Sequence, residues 1–251
     1  MMQSKHDLAK VPEVTAIFWL IKIAATTLGE TGGDAVSMSM NLGYLVSTAI
    51  FAVIFLMAVL AQVRAKSFHP LLYWTTIVAT TTVGTTLADF ADRSLGIGYA
   101  GGSALLLFLL IASLFIWHRT LGTVSVGSIS TVKAETFYWL TIMFSQTLGT
   151  ALGDWTADTA GLGYTGAALI FGALLMVIAV AHYASEVSDT ILFWAAFILT
   201  RPLGAAVGDF LDKPHAQGGL ELSRYMASAA LLGFMLICIL SFRQKAARSS
   251  H

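Results

Sequence analysis

Five acids stand where their type and spacing suit chemistry. Asp34, Asp89, Asp154 and Asp209 each follow a glycine by five residues, and Glu30 precedes Asp34 by four. Side chains at i and i+4 share a helix face, so Glu30 and Asp34 point the same way, with Thr27 and Thr26 a turn further in. Thr85 with Asp89 and Thr150 with Asp154 repeat the spacing, and Ala205 with Asp209 repeats it without a hydroxyl. Carboxylates, threonine hydroxyls and carbonyls freed at the glycines form an all-oxygen donor set, which suits hard ions such as Mg²⁺, Ca²⁺ or Mn²⁺. The expected metal ligands are Glu30, Asp34, Asp89, Asp154 and Asp209, holding a divalent cation; no other cofactor is implied. Crowded carboxylates also exchange protons. Glu30, present in one copy only, is the expected proton carrier unless a basic partner fixes its charge.

Lys22 and Arg201 are the basic residues inside the long apolar stretches, and they neutralise at most two acids. Surplus negative charge therefore remains for a cation. With Thr26, Thr27, Trp19, Trp74, Trp139 and Trp194 they make up the candidate substrate and coupling contacts. Each feature also has a plainer role. An aspartate after a small residue at a helix end can cap the next helix, as Asp34 would with Ser37 in range. Lys22 can snorkel to an interface or pair with an acid. Arg201 aligns with Thr26, one turn below Glu30, and is the natural partner of that glutamate. The tryptophans suit an interfacial belt or cation–π contact. Met38 and Met40 are an isolated sulfur pair, and His69, His118 and His182 fall at loops or segment ends. Nucleophile triads, zinc motifs and phosphate loops are absent from the sequence.

The acids belong to a repeat. Trp19, Trp74, Trp139 and Trp194 each precede a glycine by ten residues (Gly29, Gly84, Gly149, Gly204), and the aspartates follow. Gly-Tyr comes nine and ten residues later at Gly43-Tyr44, Gly98-Tyr99 and Gly163-Tyr164; the fourth copy has Gly218-Gly219 and a longer, charged insert. Offsets of 55, 65 and 55 residues suggest that a half, 15–118, was duplicated as 137–242. Repeats are expected at about 14–64, 69–119, 134–184 and 189–243 of a single membrane domain spanning 1–251.

The elements that must position these residues follow from composition. Hydrophobic residues make up 57% and charged residues 11%, where a soluble domain carries about 25% charge. Net charge is zero, which gives nucleic acid no electrostatic footing. The single cysteine, Cys238, excludes a disulfide framework. Uncharged runs at 35–63, 67–88, 94–117, 136–153, 159–181 and 225–242, with 15–33 and 191–208 despite their internal charges, predict eight spans. The fold class is thus all-α: a polytopic membrane protein in which four copies of two helices share one orientation, so the four aspartates share a depth. The segment 1–13 is polar and lacks signal-peptide character. Nine Lys and Arg on the N-terminal side, Lys5 among them, against three opposite (Arg93, Lys213, Arg224) place both termini in the cytoplasm.

The motifs Phe18-Trp19…Thr26-Thr27-Leu28-Gly29-Glu30…Asp34, Tyr73-Trp74…Thr81-Thr82-Val83-Gly84…Asp89, Tyr138-Trp139…Gln146-Thr147-Leu148-Gly149…Asp154 and Phe193-Trp194…Arg201-Pro202-Leu203-Gly204…Asp209 cover nearly the whole chain. They resemble a bacterial membrane-protein family built from four tandem two-helix repeats of unknown function with a recurrent tryptophan. The resemblance implies the eight-helix fold and a bacterial inner membrane; it implies no activity.

The expected function is secondary transport of a cation across the lipid bilayer, in its sharpest form proton-coupled export of Mn²⁺. Two rivals stand beside it. One is transport of a small organic solute bound by Lys22, Arg201 and the aromatics. The other is a membrane anchor or intramembrane enzyme using the Glu30/Asp34 pair.

Overall fold

The computed structural model describes residues 8–248. Eight α-helices follow one another: α1 (Ala16–Asp34), α2 (Gly43–Arg64), α3 (Pro70–Asp89), α4 (Tyr99–Leu121), α5 (Val132–Asp154), α6 (Gly163–Ala184), α7 (Asp189–Asp212) and α8 (Arg224–Ser241). Two short strands, β1 (Leu8–Pro12) and β2 (Ala246–Arg248), pair antiparallel and bring the two ends of the described segment together. Lys5 lies outside the described residues.

The odd-numbered helices form a closed ring. α1 packs on α3 and α7, and α5 packs on α3 and α7. The even-numbered helices lie outside it, each on the first helix of the following repeat: α2 on α3, α4 on α5, α6 on α7, and α8 back on α1. Each repeat is therefore completed by its neighbour, and the fourth closes on the first.

Small residues set the ring's diameter. A methyl at Gly204 would lie 2.8 Å from the carbonyl carbon of Thr26, and one at Gly84 would lie 3.0 Å from the backbone of Gln146 and Thr147. Gly29 meets Thr81 and Gly149 meets Arg201 in the same way. Each repeat glycine thus faces the residue three positions before the glycine of the next repeat. At this distance hydroxyls reach backbone across the joint. Thr26 Oγ1 donates to the carbonyl of Thr200 at 3.1 Å, and Thr81 Oγ1 to that of Ala25 at 3.2 Å.

Five helices, α2, α4, α6, α7 and α8, are long and apolar enough to cross a membrane. The outer helices leave large apolar side chains such as Leu169, Met176 and Leu240 exposed, a surface that water does not tolerate at this extent. α1, α3 and α5 fall short in apolar character because their buried faces are built of Thr, Ser, Gln and Gly.

Gly204→Ala is expected to destabilise the protein by about 1–3 kcal/mol, because Thr26 backbone cannot yield to the added methyl. Gly172→Ala, with nothing within 4 Å of the new atom, is the matched control. Thermal midpoints of the two variants in detergent check this: the first should fall and the second hold or rise.

Candidate functional site

At levels four residues apart along the inner helices, the same repeat position is buried in all four copies. Beginning at the N-terminal end of these helices, the levels are Phe18/Tyr73/Tyr138/Phe193, Lys22/Ile77/Ile142/Phe197, Thr26/Thr81/Gln146/Arg201, Glu30/Thr85/Thr150/Ala205 and Asp34/Asp89/Asp154/Asp209. Each level is about 6 Å from the next.

Arg201 is the centre of this stack. Its side chain is fully buried, and its Nη2 meets one side chain from each of the other three repeats. It donates to Glu30 Oε2 at 2.8 Å and to Thr85 Oγ1 at 2.6 Å, and it also contacts Thr150 Oγ1. Ala205, the fourth member of the Glu30 level, supplies no polar atom and leaves room. Glu30 thus has Arg201 as its basic partner, the arrangement weighed against a free proton carrier. Arg201 Nε and Nη1 have no partner among the described residues.

Above Glu30 the four aspartates are held as two bridged pairs, with Arg224 Nε also 3.9 Å from Asp34 Oδ2. Lys213 Nζ contacts Asp34 Oδ2 and lies 3.0 Å from Asp209 Oδ1. Arg93 Nε lies 2.8 Å from Asp89 Oδ1, and its Nη2 donates to Asp154 Oδ2 at 3.3 Å. Oxygens of Glu30, Asp34 and Asp209 come within 4.8 Å of one another, a spacing that can hold a metal ion. Asp89 and Asp154 are outside that group. Burial alone would favour the neutral amine at Lys213, but Asp209, Asp34 and Asp212 more than offset this and hold it protonated well above the usual lysine range.

Helix geometry presents the carboxylates. π-helical turns at Ala35–Ser39, Phe90–Ser94 and Trp155–Thr159 begin directly after Asp34, Asp89 and Asp154. π-turns of this kind are frequent at functional sites. None of the three aspartates caps a helix through its side chain, so the capping role does not hold for them. In the fourth repeat α7 runs on regularly to Asp212.

The other candidate residues part company with the acids. Thr26 and Thr27 bond to backbone, Thr27 Oγ1 donating to Ile23 at 3.0 Å. Lys22 neither snorkels nor pairs: its Nζ is buried, 4.2 Å from the centre of the Phe197 ring, with no hydrogen-bond acceptor among the described residues. The tryptophans do not form an exposed belt. Trp74, Trp139 and Trp194 are buried and Trp19 is half-buried, and they pack with Phe18, Tyr73, Tyr138, Phe193 and Trp117. The aromatic cluster lies 15 residues before the aspartates, about 22 Å along the helix, so the tryptophans contribute nothing to the acid site. The terminal strands cover this aromatic end. Trp74 Nε1 donates to Gln244 Oε1 at 2.8 Å, and Lys10 Nζ pairs with Glu135 at 2.6 Å.

Lys213 and Arg93 are the site residues that charge counting missed. Both stand four residues after a repeat aspartate, a spacing that places them on its face; treating them only as loop charges hid it. With them in place the surplus negative charge expected of the cluster is smaller.

Comparison with known proteins places a family model, described as Repeat of Unknown Function (DUF347), on residues 17–68, 72–123, 137–188 and 192–246. No curated protein and no solved structure matches the chain.

The Glu30–Arg201 pair yields a stability prediction. Glu30→Gln leaves the guanidinium buried without its counter-charge and should cost about 3–5 kcal/mol. Adding Arg201→Met should restore most of the loss. Thermal melts and size-exclusion profiles of the single and double variants in detergent measure both effects.

Proposed function

The chain belongs to the DUF347 repeat family, whose description carries no activity, and from the geometry of its buried acids we propose that it is a membrane transporter of cations. The observation that carries the proposal is the convergence of Glu30, Asp34 and Asp209, three buried carboxylates from the first and fourth repeats, at one end of a closed helical ring. Carboxylates enclosed in apolar surroundings are costly unless they meet a partner or an ion. The donors are all oxygen, which selects hard divalent ions over soft ones.

The spanning arrangement is eight helices. α2, α4, α6 and α8 have the length and apolar surface to cross. Short connections join them to helices packed alongside, so α1, α3, α5 and α7 cross with them, sheltered from lipid. The excess of Lys and Arg at the end where the strands meet orients that end to the cytoplasm, in a bacterial inner membrane. The acids then lie towards the outer face and the aromatic cluster closes the inner one.

Proton-coupled export of a divalent metal, with Mn²⁺ the first candidate, is the sharpest form. Glu30 is paired with Arg201, and Lys22, buried without a hydrogen-bond acceptor among the described residues, is our candidate for the coupled proton. A second form, transport of an organic solute, draws on a groove of about 740 Å³ beside Trp19, Leu20, Ile23, Met176 and Phe193. The groove is apolar and lies between α1, α6 and α7, apart from the acids.

Proteoliposomes carrying a pH gradient test the proposal. Mn²⁺ flux by the wild type, abolished by Asp34→Asn in a protein that still elutes as a single species, is the expected result. The absence of flux for Mn²⁺, Mg²⁺ and Ca²⁺ alike would remove the cation reading. Reporter fusions after Ser67 and after Lys245 should both report the cytoplasm; a periplasmic signal at either overturns the orientation.

A further inference from the structure

The two bridged aspartate pairs are equivalent in the fold but not in chemistry. Arg93 and Lys213 both lie four residues after the repeat aspartate of an even-numbered copy, and each reaches one further aspartate in an adjacent copy. A guanidinium is a planar fork that grips carboxylates at two points; an ammonium is a compact, strongly hydrated charge on a flexible stem. One pair is therefore clamped and the other is held by a group built to let go.

We propose that the Lys213 ammonium is a tethered stand-in for the transported cation, seated between Asp34 and Asp209 until a metal ion displaces it. The proposal rests on the cation reading above and adds to it the group with which the ion must compete.

Three observations carry it. First, the ammonium contacts two of the three residues whose oxygens converge within 4.8 Å, so it lies against the metal-sized group itself and not beside it. Second, it leaves that group incompletely used. Asp34 Oδ1 is buried without a hydrogen-bond partner, and Asp209 Oδ1, though 3.0 Å from Nζ, is not aligned for a hydrogen bond. A divalent ion that takes six or more oxygens would engage atoms that three ammonium protons do not. Third, the side chain has somewhere to go. Asp212 Oδ1, one residue away, is also buried and unpartnered, while Asp212 Oδ2 accepts from Arg224 Nε at 2.8 Å.

The backbone of Lys213 stays put while the side chain moves. Its N–H donates to Asp209 at 2.9 Å, its carbonyl accepts from Glu221 at 2.9 Å, and Gly219 packs directly against it. The last two contacts come from the insert that the other repeats lack, so the fourth-repeat insert is a mount for this lysine. Exchanging a monovalent ammonium for a divalent ion raises the charge facing Asp34, Asp209 and Glu30, which favours divalent over monovalent competitors.

Mn²⁺ titration of the purified full chain, followed by calorimetry, tests this with Lys213→Gln and Lys213→Arg. If the ammonium occupies the site nine-tenths of the time, its removal should tighten binding about tenfold. Lys213→Arg should weaken binding below the wild type, because it converts this pair to a clamp like the one at Arg93. A purely structural lysine predicts the reverse order, with arginine tolerated and glutamine harmful. On the wild type itself, Mn²⁺ should raise acylation of Lys213, read by mass spectrometry, while leaving exposed Lys66 unchanged. Mn²⁺ binding that Lys213→Gln does not tighten, with Lys213 labelling unmoved by the metal, overturns the stand-in and leaves the cation site. No binding of Mn²⁺, Mg²⁺ or Ca²⁺ by either the wild type or Lys213→Gln overturns both.

Discussion

The joint between consecutive inner helices depends on the absence of a side chain. Where Gly29, Gly84, Gly149 and Gly204 meet the next helix, a single methyl would strike backbone or the root of a side chain. Because the same joint recurs four times and the fourth closes on the first, one local distance sets the radius of the whole ring. That radius decides what fits inside. Threonine hydroxyls bond across the joints, and one arginine reaches the other three repeats from the fourth.

Repetition supplies the frame and substitution supplies the chemistry. A strictly four-fold ring would carry identical groups at each level, and identical charges around a narrow axis repel. The sequence avoids this at three levels. Glu30 has threonines and an alanine as counterparts; Arg201 has two threonines and a glutamine; Lys22 has two isoleucines and a phenylalanine. Of the charged levels, only the aspartates are kept in all four copies, and they are the group that needs outside cations. Arg93 and Lys213 provide them at two-fold related places, matching the 55-residue offsets on either side of the wider 65-residue step.

Much of this is legible in the chain. The Trp–Gly–Asp register yields four repeats, the glycines announce close packing, and the alignment of Arg201 with Thr26 points to its pairing with Glu30. What escaped was tertiary. An interfacial tryptophan and a core tryptophan have the same sequence signature; it is the covering of the aromatic end by β1, β2 and the loop before α5 that buries Trp74, Trp139 and Trp194. Trp194 Nε1, for instance, donates to the Val124 carbonyl at 2.9 Å. The π-turns leave no mark in hydrophobic periodicity, because they widen one turn without changing composition. Arg93 and Lys213 read as loop charges until the helix is known to run on past the aspartate.

Charge along the axis of the ring is ordered, not merely balanced. The aromatic end is neutral, Lys22 stands alone above it, the Arg201–Glu30 pair follows, and the bridged aspartates lie at the far end. A cation approaching from the carboxylate end meets attraction first and then the positive charge of Arg201. Passage through the stack as it stands is therefore opposed at its centre, while entry to the Asp34–Asp209 level is not. On the proposed transport function the repeats must move relative to one another, and the glycine joints, where the inner helices approach most closely, are where that movement would have to be accommodated. Two of the four joints, those of α1 with α3 and with α7, are bridged by threonine-to-carbonyl bonds, while Gly149 meets the side chain of Arg201.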